Sequence, residues 1–375
     1  MRIVIAPDAF TGSLDALRAA DALARGWASV RPTDELLSAP MANGGVGTLD
    51  VIARTVPGAT FHDVPGCTGP DGRPVTGRWL ALPDGSAVVD LAQVVGLSLM
   101  AAPDALGAST RGLGEVIASA LDAGATSLVI SLGGSASTDG GAGALAALGL
   151  HLLDESGEPL ADGGGALSRL MFADMTDLRP APLGGVTLLT DIANPLLGLL
   201  GTAAAHSPLK GASPEDAARL EYGLSRFAGV LGGWPDAPGA GAAGGAAYGF
   251  MVAWKARIVP GPAYITQLLG LTGLLADADV LLTGEGRFDA TSARGTAAGE
   301  ALGLATCDTH RAHLRTGVVA GAISAPHLLD DRGTWHCELN TIAGSPEAVE
   351  ADPERWLFDA AARAALAIAG PLVAA

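Results

Sequence analysis

Short apolar runs that stop at Gly, Asp or Ser recur along the chain, at 3–6, 128–132, 186–189, 280–282 and 318–320. They lack polar alternation, which predicts strands buried on both faces, as in a parallel sheet. Helical stretches accompany most of them, at 13–28, 114–123, 214–231 and 353–368. Ser13 is expected to cap the first, and Ser213, with Pro214 at the first helical position, to open the third. Strand alternating with helix predicts an α/β fold. The segment 61–97 breaks the pattern, because Pro70-Asp71-Gly72 and Pro83-Asp84-Gly85 separate short alternating runs as antiparallel hairpins do. An inserted domain is expected to begin there and to cover 61–274, within a domain formed by 1–60 and 275–375.

Two segments are rich in glycine, 133–143 and 238–249. The first contains Gly133, Gly134, Ser135, Asp139, Gly140 and Gly141, follows a predicted strand and precedes a helical run at 144–149. A turn of this kind can deliver backbone N–H groups and a helix N-terminus to an anion. Tight turning and close helix packing explain such loops equally well. Neither segment is a Walker P-loop, since no Gly-Lys-Ser/Thr follows.

Composition narrows the function. The chain has 375 residues, 49% hydrophobic and 16% charged, ample for a core and for two domains. Its net charge of −17 repels phosphate backbones and anionic headgroups, so nucleic acid and membrane surfaces are not expected partners, and a small molecule is. Cys67, Cys307 and Cys337 are scattered and free of any CxxC pattern, which fits a reducing, cytoplasmic setting and argues against a zinc site. Lys210 and Lys255 are the two lysines of the chain, which limits any chemistry that needs one. The sequence lacks a Gly-x-Ser-x-Gly elbow and a His-Glu-x-x-His motif, which removes serine hydrolase and zinc protease readings.

Several motifs stand in order along the chain: Ala6-Pro7-Asp8, Pro40-Met41-Ala42 with Gly44-Gly45, the loop at 133–143, Asp191 with Asn194-Pro195-Leu196, Lys210-Gly211-Ala212, the loop at 238–245, and Thr283-Gly284-Glu285-Gly286-Arg287 with Asp289. Together they resemble the type I glycerate kinase (glycerate 2-kinase) family over nearly the full length. The resemblance implies a discontinuous Rossmann-like domain plus an inserted α/β domain, with the active site in the cleft between them. For ordinary members it also implies ATP and Mg²⁺ as cofactors and a small hydroxy acid as acceptor.

Against the family pattern, Ala9 and Thr11 replace a Ser and a Lys of the first loop, and Asn43 and Val46 replace an Asp and a Glu of the second. Leu113, Thr138 and Leu209 stand where Thr, Asn and Gln are usual, and Thr291 and Thr296 replace a Gln and a Lys. Phosphoryl transfer depends on positioning and on neutralising developing charge, and each lost contact of that type removes roughly 10²- to 10³-fold in rate. Val46, Leu113 and Leu209, with Tyr248 and Phe250 after the second glycine segment, would make the pocket more apolar. The expectation is a kinase scaffold reused for cyclisation or isomerisation of a larger apolar molecule of specialised metabolism, with no metal and no cofactor. The alternatives are an active glycerate 2-kinase, using ATP and Mg²⁺, and a non-catalytic binding protein.

Candidate chemistry falls on surviving polar positions. Asp8 ends the first strand, where open α/β sheets place ligands, and suits general-base or orienting work. Asp139 either serves a ligand or binds its own loop, and Asp191 either contacts substrate or forms a turn. Glu285, Arg287 and Asp289 alternate and would face one side of an extended chain, as an ion-pair network or a ligand clamp. His206, near Lys210, is a candidate proton carrier or a plain solvent-facing side chain. Asn43 and Lys210 complete the expected pocket. Arg111 and Glu115 are read as a structural i, i+4 pair.

Overall fold

The computed structural model describes residues 1–10, 12–292, 295–306 and 313–369, so the expectations for Thr11 and Cys307 fall outside the described residues. The chain forms two compact units: Met1–Asn43, Asp50–Thr55 and Pro260–Ala375 make the first, and Gly44–Leu49 with Val56–Val259 the second.

The first unit is built on a parallel five-stranded sheet. Strand Arg2–Pro7 lies between Val280–Phe288 on one side and Glu35–Ser38 on the other, and Arg315–Ile323 and Trp335–Glu338 extend the Val280 side. The interior of Arg2–Pro7 is fully buried, which is why it reads as an unbroken apolar run. Helices Ala16–Val30 and Pro353–Ala369 pack together over the sheet, burying Trp27 and Leu23 with Leu357 and Ala361. The first helix starts three residues later than expected. Asp15, not Ser13, is its cap, accepting from the Arg18 N–H at 2.8 Å, while the Ser13 hydroxyl donates to the Phe10 carbonyl.

The second unit holds a mixed six-stranded sheet. Strands Thr60–Thr68, Pro74–Ala81 and Ser86–Asp90 form an antiparallel meander, and Ser86–Asp90 pairs in parallel with Ser127–Ser131, which pairs in parallel with Val186–Thr190. Helix Pro214–Leu231 has the expected ends, held by a capping box in which Ser213 and Asp216 satisfy one another's backbone N–H. Helix Arg111–Asp122 begins earlier than its glycines suggest. They permit close packing: a Cβ on Gly112 would stand 2.2 Å from the Thr68 carbonyl oxygen, and one on Gly114 2.2 Å from that of Ala144. Arg111 and Glu115 do not pair with each other. Arg111 forks onto Asp162 at 2.6 and 2.9 Å, and Glu115 accepts from Thr68.

Candidate functional site

In the first unit the chain leaves strand Arg2–Pro7 toward Glu35–Ser38 on one side, while Val280–Phe288 and its followers lie on the other. This is a topological switch point, where an open sheet leaves a crevice at its carboxyl ends. Asp8 sits at that end, its N–H donating to the Gly284 carbonyl at 2.8 Å. Gly284 has to be glycine, because a Cβ there would lie 2.2 Å from the Val319 carbonyl oxygen. A cavity of about 480 Å³ opens here, lined among others by Asp8, Asn43, Glu285 and Arg287.

The polar contacts fix Asp8 in this cavity. Its Oδ1 accepts from the Ala9 N–H at 2.7 Å, and its Oδ2 accepts from the Asn43 side-chain amide. The other end of that amide, Oδ1, accepts at 2.7 Å from the N–H of Ala297, the first residue of helix Ala297–Thr306. Asn43 thus joins a strand end to a helix start and satisfies one of the helix's otherwise unpaired donors.

Glu285 is only 6% exposed, and its Oε1 is buried with no hydrogen-bond partner among the described residues. Burial pushes its carboxyl up to about 7, and the charges of Asp8 and Asp289 push the same way, against the hydroxyls of Ser292 and Thr296. Arg287 is exposed and is the cationic side chain among those lining the cavity. Asp289 does not join a clamp with them. Its carboxylate accepts from the N–H and hydroxyl of Thr291 at 2.8 and 2.6 Å, a local turn that explains its lowered pKa. Phe10, Asn340 and Glu350 also line the cavity. No local motif marks them, since they arrive from separate elements.

The second unit places its candidates differently. Asp139 is fully buried, and four donors converge on it: the Thr110 N–H and hydroxyl at 2.9 and 2.8 Å, and the N–H groups of Gly141 and Gly143 at 3.1 and 3.2 Å. Burial raises its pKa and these bonds oppose the rise. The N-terminus of helix Ala142–Ala147 is thereby occupied by the protein's own carboxylate, so the expected anion cradle is filled from within. The two glycine segments pack backbone to backbone, with the Gly140 N–H donating to the Gly244 carbonyl at 2.9 Å. Gly133 and Gly134 lie against a second glycine turn, where a Cβ on Gly133 would stand 2.4 Å from Gly45 Cα, and the Ser135 hydroxyl bonds Ser137.

The apolar pocket expected here is absent as a surface. Leu113, Tyr248 and Phe250 have 0% exposure and belong to the core of this unit, while Val46 and Leu209 point outward at 72% and 75% exposure. Tyr248 uses its hydroxyl on the Gly232 carbonyl and meets Phe227 edge to face, as a packed core aromatic does. Asp191 is exposed after strand Val186–Thr190. Lys210 is buried, donates from Nζ to the Ser137 carbonyl, and is brought down to about 8 by burial, against the pull of Asp139. His206 ends helix Thr202–His206, half-buried, with its pKa lowered by burial and by the charge of Lys210.

Residues 3–369 match the model of the glycerate kinase family. The chain belongs to this family. It is 40% identical to the glycerate kinase of Bacillus subtilis (strain 168) and 38% identical to the glycerate 2-kinase of Escherichia coli (strain K12), in each case over 79% of both chains. A crystal structure described as a candidate glycerate kinase 2 from Salmonella typhimurium LT2 superposes with a TM-score of 0.78 at 30% identity, covering 97% of each chain. The α/β fold expected from the sequence is therefore that of the family.

The same relatives overturn the expected function. Curated glycerate kinases this similar favour an enzyme of their own kind over a scaffold reused for cyclisation or isomerisation, and nothing here supports specialised metabolism. The aromatic pair that motivated that expectation is core, not pocket wall. No helix among the described residues is long and apolar enough to cross a membrane.

Proposed function

We propose that this enzyme is a glycerate kinase, transferring the γ-phosphoryl group of ATP to a hydroxyl of glycerate or a closely related hydroxy acid. The observation that carries this reading is the 38–40% identity to a curated glycerate kinase and a glycerate 2-kinase over about four-fifths of the chain.

The first unit's cavity fits the cofactors of such a reaction. Its volume of about 480 Å³ lies within the usual range for ligand sites, roughly 300–1,000 Å³. Magnesium is held by one or two carboxylates together with substrate phosphates and water, not by an all-protein cage. Asp8 and Glu285 supply such a pair, with the buried, unpartnered Oε1 of Glu285 as the free ligand position. Among the described residues no group of three or more acids, histidines or cysteines could hold a metal by itself. Held by Asp8 and Glu285, magnesium would supply neutralisation of the charge that develops on the phosphoryl group.

The chain's own contribution is positioning. Asn43 and the Ala9 N–H keep the Asp8 carboxylate turned as an acceptor, and Arg287 offers a cation at the cavity's surface. Glu285 gives up its proton near neutrality and carries its charge when a cation is beside it. Purified protein is expected to form ADP in a glycerate- and magnesium-dependent manner. Asp8→Asn is expected to lower kcat by about 10²- to 10³-fold, the scale of a lost electrostatic contact at a reacting centre. A wild-type chain that consumes no ATP with glycerate would defeat the proposal.

A further inference from the structure

The cavity of the first unit runs across the sheet, beyond the two acids that fit magnesium. Pro7 pairs with Gly284, Glu285 with Ala320, and Ala320 with Glu338. The residues at or just past these positions therefore stand in one row at the carboxyl ends, from Asp8 through Glu285 and Gly321 to Asn340, and all four line the cavity. Adjacent strands lie about 4.8 Å apart, so the strand that leads to Asn340 is roughly 10 Å from that of Glu285. Between them the wall is Gly321 and Ala322, which leave the way across free of bulky side chains.

Asn340 and Glu350 form the far end, on fixed supports. Strand Trp335–Glu338 passes directly into helix Leu339–Ala343, and Glu338 braces the junction by accepting from the Ile323 N–H at 3.1 Å and the Thr341 hydroxyl at 2.6 Å. Glu350 stands on helix Pro346–Ala351, which Ser345 caps by accepting from the Ala348 N–H at 3.2 Å. Trp356 Nε1 donates to the Ala348 carbonyl at 2.9 Å, and Val349 is packed in the core of the unit. The side chains of Asn340 and Glu350 make no hydrogen bond or ion pair among the described residues.

A carboxylate only accepts hydrogen bonds, and an amide has both a donor and an acceptor end. This end of the cavity therefore disfavours phosphate and suits neutral hydroxyls. The other end has the reverse preference, because a cation held by Asp8 and Glu285, together with the Arg287 guanidinium, attracts phosphate oxygens. A ligand that suits both ends is phosphorylated at one and carries a vicinal diol at the other, as a nucleotide does. In dinucleotide-binding sheets an acid takes a ribose hydroxyl in the same way. In an extended nucleotide the ribose, not the base, lies two strand spacings from the metal-bound phosphates.

We propose that Glu350 and Asn340 form the ribose subsite of the ATP site, with the Glu350 carboxylate accepting from the 2′-hydroxyl and the Asn340 amide bonding the 3′-hydroxyl. The inference rests on the glycerate kinase reading and gives the nucleotide a direction, with phosphates at Asp8 and Glu285 and sugar at Glu350.

The test is calorimetric titration of the full-length chain with magnesium and either ATP or 2′-deoxy-ATP, without glycerate. Wild type is expected to bind ATP about tenfold more tightly, the scale of a hydrogen bond to a charged acceptor. Glu350→Ala should shrink that ratio to within about twofold, and Glu350→Gln, which keeps a neutral acceptor, should hold an intermediate ratio. The ratio is the readout because removing a negative charge favours any triphosphate. Glu350 is exposed, so its variants are expected to fold as wild type does. Asn340→Ala should lower the preference for ATP over 3′-deoxy-ATP by about threefold.

If glycerate is phosphorylated but the wild type binds ATP and 2′-deoxy-ATP alike, the subsite is wrong and the kinase stands. If the preference appears and vanishes in Glu350→Ala but glycerate is not phosphorylated, the kinase reading fails and the ribose subsite stands. A Glu350→Ala chain that keeps the wild-type ratio overturns the assignment. One that keeps it and loses the discrimination of ATP from inosine triphosphate gives Glu350 to the base instead.

Discussion

Asp139 in the second unit and Glu285 in the first are both buried acids, at 0% and 6% exposure, and both have their pKa raised by burial. They differ in what the backbone offers them. Four donors converge on Asp139, while one oxygen of Glu285 has none among the described residues. Desolvation alone therefore does not mark a functional acid. The satisfied carboxylate is part of the scaffold, capping a helix start and tying its glycine loop to Thr110, and the unsatisfied one is the candidate ligand position.

The largest expected effect breaks the satisfied side. Asp139→Asn keeps the shape but turns an NH₂ group against N–H donors that need an acceptor. It is expected to cost about 2–4 kcal/mol, seen as a lowered thermal midpoint of the second unit. A variant as stable as the wild type would mean that the four hydrogen bonds do not hold this loop, and the contrast with Glu285 would collapse.

Glu285→Gln should have the opposite sign and depend on pH. A carboxyl at about 7 when folded, against an ordinary 4.5, supports the folded state fully below pH 4.5 and loses that support as pH rises through 7. Above pH 7 the wild type therefore carries a penalty of about 3 kcal/mol that the glutamine variant lacks. In EDTA at pH 8 the variant should be the more stable protein, and at pH 4 the two should coincide. Adding magnesium with nucleotide should stabilise the wild type and leave the variant nearly unchanged. Equal stability of the two chains at both pH values would remove Glu285 from the argument.

The residues that were legible in the sequence share a physical property: their signal is local. Strand Arg2–Pro7 is apolar throughout because both its faces are covered, and helix Pro214–Leu231 announces its own start through Ser213 and Asp216. Asp8 was legible because a strand end is a local feature. What distant partners decide was not legible. Asp139 takes two of its hydrogen bonds from Thr110, 29 residues away, and Asn43 meets Ala297 across 254 residues. Tyr248 and Phe250 misled for the same reason, since an aromatic after a glycine loop looks alike whether it faces a ligand or Phe227 and Trp254. The departures from the family pattern at Asn43 and Val46 also read as losses while their neighbours were unseen. Val46 is an exposed side chain, and Asn43 is a brace that works because an amide has both a donor and an acceptor end.

That last point carries the smallest effect, and it sharpens the contrast within the first unit. Asn43→Asp would keep the acceptor for the Ala297 N–H but replace the donor to Asp8 with a second carboxylate. Two carboxylates in contact cannot both stay ionised unless a proton or a cation lies between them. With Asp8, Glu285 and Glu350 lining the same cavity, the variant holds four acids where the wild type holds three. Nucleotide-free protein is therefore expected to bind Mn²⁺ about tenfold more tightly, or about 1.4 kcal/mol, measured by the loss of the free-ion EPR signal. Asn43→Ala, which removes the brace without adding charge, should leave Mn²⁺ binding unchanged and lower stability by about 1 kcal/mol through the uncapped helix. Equal Mn²⁺ affinity in Asn43→Asp and wild type would place the metal away from Asp8, and the unpartnered oxygen of Glu285 would then need a different occupant.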